Sequence, residues 1–102
     1  MAARNTTPAR DDQSRPPLFT LEEWRTIVDT MSLSPKQAAI VGYVVQGKSD
    51  KEIGQQLKIR HSTVRSHLDD IRSSTKATNR LAIAYRVFET FRRVVERRPP
   101  LK

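Results

Sequence analysis

Residues 47–67 read GKSDKEIGQQLKIRHSTVRSH, and they contain two short helix signals on either side of a polar turn. Ser49 followed by Glu52 forms a capping box, which predicts a helix beginning just after Ser49. A second helix is predicted over roughly Ser62–Ser73. Both helices are short and hold few apolar residues, so neither is expected to be stable alone.

The second predicted helix has two faces of different composition. Val64, Leu68 and Ile71 form one narrow apolar stripe at about 100° per residue. Short side chains on the other face would let the helix backbone approach a surface closely, which suits insertion into the DNA major groove, about 12 Å wide. That other face carries one arginine among short polar groups: Ser62, Arg65, Ser66, Asp69 and Ser73.

The first predicted helix is expected to support the second. Its apolar stripe is only Ile53 and Leu57, which is enough to pack against the stripe of the second helix across one short turn. Gly54 faces the same crossing and permits a close approach. Two helices joined in this way form a helix-turn-helix, whose second helix lies in the groove while the first crosses the DNA backbone. The alternative is a corner of a helix bundle that binds nothing.

The residues before this stretch predict two more helices. Thr20 and Glu23 form a capping box, flanked by Phe19 and Trp24 at the hydrophobic-staple positions. Ser34-Pro35 with Gln37 repeats the signal, and the helix that it opens is expected to stop at Gly47.

The residues after it predict one long helix, from Thr78 or Asn79 to the Pro99-Pro100 stop. No alternating strand pattern competes, so the predicted fold class is all-α. Residues 1–18 are polar and are expected to be a disordered tail. Residues 19–98 then form the domain, and residues 99–102 a short C-terminal tail.

Composition narrows the function classes. The chain of 102 residues carries a formal net charge of +8, and its basic excess lies after residue 32: residues 33–91 hold 10 basic and 5 acidic side chains. This distribution favours nucleic acid or another acidic surface as partner, although a solubilising surface is the alternative. With no cysteine and two histidines, no metal site or cofactor is expected. No membrane span or secretory signal is apparent, so a cytoplasmic, nucleoid-associated protein is expected.

A family resemblance rests on specific residues. LSPKQAAIVGYVVQGKSDKEIGQQLKIRHSTVRSHLDDI, followed by Asn79-Arg80, resembles the DNA-binding domain of the LuxR/GerE transcription regulators over about residues 33–88. The resemblance implies a four-helix fold: a scaffold helix, the helix-turn-helix pair and a last helix that commonly pairs two subunits. Here an extra helix would precede these four, and the last of the four would be long.

The resemblance also implies the contacts with double-stranded DNA. Ser49, Lys51 and Thr63 match positions near backbone phosphates, whereas Arg65, Ser66 and Asp69 match positions that read base edges. Arg80 is expected to reach either a phosphate or an internal acidic group. His67 is expected to be buried and hydrogen-bonded rather than to touch DNA. The predicted DNA-binding residues are Ser49, Lys51, His61, Ser62, Thr63, Arg65, Ser66, Asp69 and Arg80.

The sequence departs from the family pattern at four places, the first being Lys36-Gln37-Ala38-Ala39 where Arg-Glu-Arg-Glu usually follows the proline. Gly54 stands where alanine is usual, and Ser74-Thr75-Lys76 replaces Lys-Leu-Gly before the last helix. Asp69 stands where lysine or another polar residue is often found. It is interpreted as the partner of Arg65 or Arg72 in an ion pair along the helix, with a hydrogen bond to a cytosine as the alternative.

The last helix carries two apolar stripes. One holds Leu81, Tyr85, Phe88 and Val95, and the other Ile83, Val87 and Val94, with Phe91 between them. Because a small domain needs one stripe for its own core, the second predicts a homodimer through Ile83, Val87, Phe91 and Val94. The alternative is that the helix of Trp24 folds back over this stripe.

Three functions remain in competition. The leading one is a sequence-specific transcriptional regulator, not an enzyme, with RNA polymerase as a further candidate partner. The others are a fragment resembling the promoter-recognition end of a sigma factor, and a protein-interaction adaptor that kept the fold but lost DNA readout. Asp69 and Asp70 are the best support for the adaptor. The sequence lacks a Gly-rich phosphate loop and a metal-ligand cluster, which disfavours an enzyme.

Overall fold

The computed structural model describes residues 13–97, and this part of the chain contains helices and no strand. The all-α prediction is therefore confirmed. None of the helices in this range has the length and apolar character needed to cross a bilayer. The predicted Pro99-Pro100 stop, the C-terminal tail and residues 1–12 of the predicted N-terminal tail lie outside the described residues. The helices are α1 (Leu21–Met31), α2 (Pro35–Val45), α3 (Asp50–Leu57), α4 (His61–Thr75) and α5 (Arg80–Arg97).

Reciprocal capping fixes where the first three helices begin. The Thr20 hydroxyl accepts a hydrogen bond from the Glu23 backbone N–H at 3.1 Å, and the Glu23 carboxylate accepts one from the Thr20 N–H at 2.9 Å. Phe19 and Trp24 stack with their ring centroids 6.0 Å apart, which forms the predicted staple. The other two predicted capping boxes are also present, at Ser34 with Gln37 and at Ser49 with Glu52.

A residue in the left-handed conformation ends each of the first four helices, beginning with Ser32 (φ +58°) after α1. Gly47 has φ +83° after α2, Lys58 has φ +61° after α3, and Lys76 has φ +58° after α4. Lys76 stands where the family resemblance gives a glycine, and this conformation costs a non-glycine residue about 1–2 kcal/mol. The turn nevertheless forms, because the Ala77 backbone N–H donates to the Arg72 carbonyl at 3.0 Å and Ala77 is buried.

Helix α2 forms the centre of the core. Residues 38–44 are all buried, as expected for a helix that is apolar on every side. Helices α4 and α5 pack against α2, and α1 packs against α5. The buried side chains of these other helices complete the core: Trp24, Ile27, Ile53, Leu57, Val64, Leu68, Ile71, Ile83 and Val87.

Residues 13–18 pack on the domain, although the sequence assigned them to the tail. Ser14 and Pro16 are buried. The Gln46 side-chain amide donates to the backbone carbonyls of Gln13 at 3.0 Å and Ser14 at 3.1 Å. A Cβ atom added to Gly42 would lie 1.9 Å from the Ser14 carbonyl oxygen. Glycine at position 42 therefore allows the N-terminal segment to cross α2 closely.

The structure corrects the prediction for the two stripes of α5. Ile83 and Val87 are fully buried in the domain's own core, and Phe91 and Val94 are half-buried, so this stripe is not a free surface. The alternative, that the helix of Trp24 folds back over this stripe, applies here, because α1 packs against α5. The ring centroids of Phe19, just before α1, and Phe91 lie 5.0 Å apart. The exposed stripe is the other one, with Leu81, Tyr85, Phe88 and Val95.

Gly42→Ala should lower stability by about 1–3 kcal/mol, the usual cost of overpacking, because the added methyl group clashes with backbone rather than with a movable side chain. Urea unfolding of the variant measures this loss. In a chain that begins at residue 18 the backbone clash is missing and only the Trp24 ring, 3.3 Å from the added Cβ, stays close, so the same substitution should cost much less there. An equal loss in both chains would contradict the role assigned to Ser14.

Candidate nucleic-acid interface

Helices α3 and α4 form a tight pair around buried apolar side chains. Ile53 and Val64 are fully buried, and Leu57 and Leu68 nearly so. The turn between the helices covers residues 58–60, and the Ile59 N–H donates to the Gly54 carbonyl at 3.0 Å. Glycine at position 54 permits this close crossing, since an added Cβ would lie 2.7 Å from the Ile59 carbonyl oxygen.

Packing of this pair turns the polar face of α4 outward. The stripe of Val64, Leu68 and Ile71 is buried. Thr63 and His67, beside the stripe, are half-buried. His61, at the start of the helix, is exposed. Every member of the opposite face is also exposed: Ser62, Arg65, Ser66, Asp69 and Ser73.

The start of α3 lies beside this face. Lys51 is exposed, and the Ser49 hydroxyl caps the helix by accepting from the Glu52 N–H at 3.1 Å. The return hydrogen bond from the Ser49 backbone N–H, at 2.8 Å, holds the pKa of Glu52 below its usual value. The Ser49 hydroxyl and the charge of Lys48 lower that pKa further. An ionised Glu52 stabilises the positive end of α3.

Charged side chains on α4 are engaged in ion pairs. Asp69 pairs with Arg72 one turn along the helix, which agrees with the ion-pair interpretation of Asp69. Arg65 does not pair with Asp69. Its Nε atom lies 3.6 Å from an Asp50 carboxylate oxygen, while its side chain remains 69% exposed.

Arg80 reaches an internal acidic group, one of the two predicted alternatives. Its guanidinium donates to the Asp50 carboxylate at 2.5 Å and to the Lys48 carbonyl at 2.6 Å. Arg80 thereby ties the first turn of α5 to the start of α3. Sequence reasoning missed Asp50, because its partners lie 15 and 30 residues away and no periodic pattern marks them.

The surface around this pair of helices is basic. Residues 48–65 hold five basic side chains and two acidic ones, Asp50 and Glu52. Lys48 precedes α3, and the other four come from α3, from the turn and from the first half of α4, so the basic excess belongs to the helix pair itself. Such a distribution attracts a polyanion.

The fold and this surface define a helix-turn-helix domain. The chain belongs to the bacterial regulatory proteins of the luxR family, whose model matches residues 31–87. The domain of this family is a DNA-binding module and not an enzyme. Helices α2 to α5 correspond to the four helices implied by the sequence, and α1 is an addition before them.

Two curated relatives are transcriptional regulators by name. The chain is 36% identical over 72 residues to the "Putative HTH-type transcriptional regulator YhjB" of Escherichia coli (strain K12), which covers 66% of this chain and 36% of that protein. It is 41% identical over 56 residues to the "Monoamine regulon transcriptional regulator" of Klebsiella aerogenes, which covers 55% of this chain and 25% of that protein. The chain thus spans between a quarter and two fifths of their lengths. No solved structure matches it significantly.

Proposed function

We propose that the domain binds double-stranded DNA sequence-specifically, with α4 in the major groove, and thereby regulates transcription. The observation that carries this proposal is the exposure of the whole polar face of α4 while its apolar stripe is buried. A face built from serines and one arginine allows the helix backbone to come close to the bases. The basic excess around α3 and α4 supplies attraction to the phosphates.

The proposed contacts divide into two groups. Ser49, Lys51 and Thr63 lie near helix starts, where backbone N–H groups and positive side chains favour phosphates. Arg65 and Ser66 lie on the exposed middle of α4 and are proposed to meet base edges. Asp69 lies one turn further on, and its pairing with Arg72 favours a role in ordering that arginine. His61 and Ser62, exposed at the start of α4, complete the proposed surface.

Arg80 is proposed to act through the fold rather than on a phosphate, because its guanidinium is already engaged by Asp50 and the Lys48 carbonyl. The DNA-binding unit is proposed to comprise residues 19–98 as predicted, with residues 13–18 packed on it. The proposed site of action is the cytoplasmic nucleoid, with RNA polymerase as the further partner of a regulator.

Arg65→Ala should cost about 1–3 kcal/mol on a preferred duplex and relax base preference at one position, because a bidentate arginine–guanine contact is lost. Lys51→Ala should weaken binding to all duplexes about equally. It should also reduce the slope of log affinity against log salt concentration by about 1, because one phosphate contact is lost. A binding-site selection followed by titration on selected and random duplexes at several salt concentrations measures both effects.

Equal losses for both variants on selected and random DNA would show that Arg65 is not a reader. Binding that does not weaken as salt rises, or no binding by the unaltered protein, would contradict DNA binding altogether and favour the adaptor.

A homodimer through α5 is also proposed, with its interface on the exposed stripe. Leu81 is 78% exposed and Tyr85 64% exposed, and Phe88 extends this apolar surface along the helix. A second copy of the chain is the proposed occupant, because one helix face can pair with itself about a two-fold axis. Further along α5, Arg92 pairs with Glu96 and Arg93 with Glu89. Two copies would present two α4 helices to half-sites one DNA turn apart.

Leu81→Glu should convert the dimer to a monomer, because it places a charge at the most exposed apolar position of the proposed interface and touches none of the buried core. Sedimentation at micromolar concentration measures the change, and the thermal midpoint should be unaltered apart from the loss of association. Leu18→Glu, at a position 67% exposed and outside α5, is the matched control and should remain dimeric. A wild-type chain that is monomeric even on DNA would refute the dimer, and a dimeric Leu81→Glu variant would refute this interface.

A further inference from the structure

Asp50 lies where three helices meet. It is the first residue of α3, and its two carboxylate oxygens point to different partners. One oxygen accepts from Arg80 of α5 at 2.5 Å, and the other lies 3.6 Å from the Nε atom of Arg65 on α4. The side chain is 23% exposed, so most of it is shielded from water by these neighbours. None of the DNA contacts proposed above involves Asp50.

Arg80 holds the Asp50 carboxylate in place. Its guanidinium donates simultaneously to Asp50 and to the Lys48 carbonyl at 2.6 Å, just before the N-cap of α3. Two donors of one rigid, planar group therefore contact the same short segment. The first turn of α3 adds a second restraint, because the positive end of a helix favours a carboxylate at this position. Asp50 is thus a fixed anion rather than a mobile surface acid.

The contact between Asp50 and Arg65 leaves the outer part of the arginine available. Asp50 approaches the Nε atom, which is the guanidinium nitrogen nearest the backbone. The 69% exposure of the Arg65 side chain is consistent with terminal nitrogens that face solvent. An arginine reads guanine with two parallel N–H donors, so a guanidinium that is held at one edge and free at the other suits that use.

We infer that Asp50 is a positioning residue for base readout: Arg80 fixes Asp50, and Asp50 holds Arg65 in the direction from which it meets a base. The inference rests on the proposed DNA-binding function and adds a specificity-determining residue that does not itself touch DNA. If the guanidinium is fixed before binding, it can donate hydrogen bonds in fewer directions. This sharpens discrimination between bases.

A plain electrostatic role for Asp50 leads to a different expectation. An acid near the phosphates repels all DNA equally, so its neutralisation would raise affinity for every duplex by the same factor. A positioning role changes the ratio of affinities for selected and random duplexes instead. This ratio is therefore the quantity to measure.

Asp50→Asn should lower the ratio of affinities for selected and random duplexes by about threefold to tenfold. This is a part of the discrimination that a bidentate arginine–guanine contact supplies. The loss should be concentrated at the base pair whose preference Arg65→Ala also relaxes. Affinity for random DNA should stay the same or rise. Asp70→Asn removes one negative charge from an exposed position of α4 and is the matched control. It should leave the ratio unchanged.

The double variant Asp50→Asn/Arg65→Ala shows whether the two residues act together. If Asp50 works through Arg65, its substitution should have no effect on the ratio once Arg65 is alanine. An undiminished effect in that background would overturn the inference.

Thermal unfolding checks that the variants are folded, since Asp50 also holds Arg80. If Asp50→Asn does not fold, Asp50→Glu replaces it, because a glutamate keeps the charge that Arg80 needs while moving the carboxylate outward by one methylene group. The same decrease in the ratio of affinities for selected and random duplexes is expected, although the net charge does not change. An unaltered ratio in the folded variant overturns the inference.

The result separates this inference from the proposed function. If Arg65→Ala relaxes base preference and the Asp50 variants do not, DNA readout by α4 stands and positioning by Asp50 falls. If Arg65→Ala leaves base preference intact, the readout by Arg65 falls and the inference falls with it.

Discussion

The surface of this domain depends on the burial of three side chains along one edge of α4. Val64 and Ile71 are fully buried and Leu68 is nearly so, against α3 on one side and the apolar helix α2 on the other. Each such side chain contributes about 1.5–3 kcal/mol relative to exposure. A helix held by one edge must expose the opposite edge, and here that edge carries Arg65 among serines. The proposed interface with DNA is therefore a consequence of the core.

A second constraint is electrostatic and acts between helices. Asp50 links the start of α3 to Arg80 of α5 and to Arg65 of α4, so one carboxylate contacts side chains of two other helices. These contacts lie at the edge of the apolar core, and their side chains are partly exposed to water. Ion pairs in such positions orient the arginine side chains more than they stabilise the fold. The same helix, α5, carries the exposed stripe of Leu81 and Tyr85 on its outer side.

Local signals in the sequence predicted what is local in the structure. Each capping box involves residues three positions apart, so Thr20 with Glu23 could be recognised without any knowledge of the fold. The stripe of α4 was equally clear from its periodicity. The two stripes of α5 were not distinguishable, because both are apolar and only the packing of the other helices around α5 decides that Ile83 is covered and Leu81 is not. The role of Asp50 depends on contacts across 15 and 30 residues, which periodicity does not contain.

The central claim is that the exposed edge of α4 meets the DNA. Amide chemical shifts of the ¹⁵N-labelled protein, followed while a selected duplex is added, test it most directly. The account predicts that the largest changes fall on the exposed positions of α4 and on the first turn of α3, and that α1 changes little. Changes concentrated on α1 or on the exposed stripe of α5, with α4 unaltered, would contradict it.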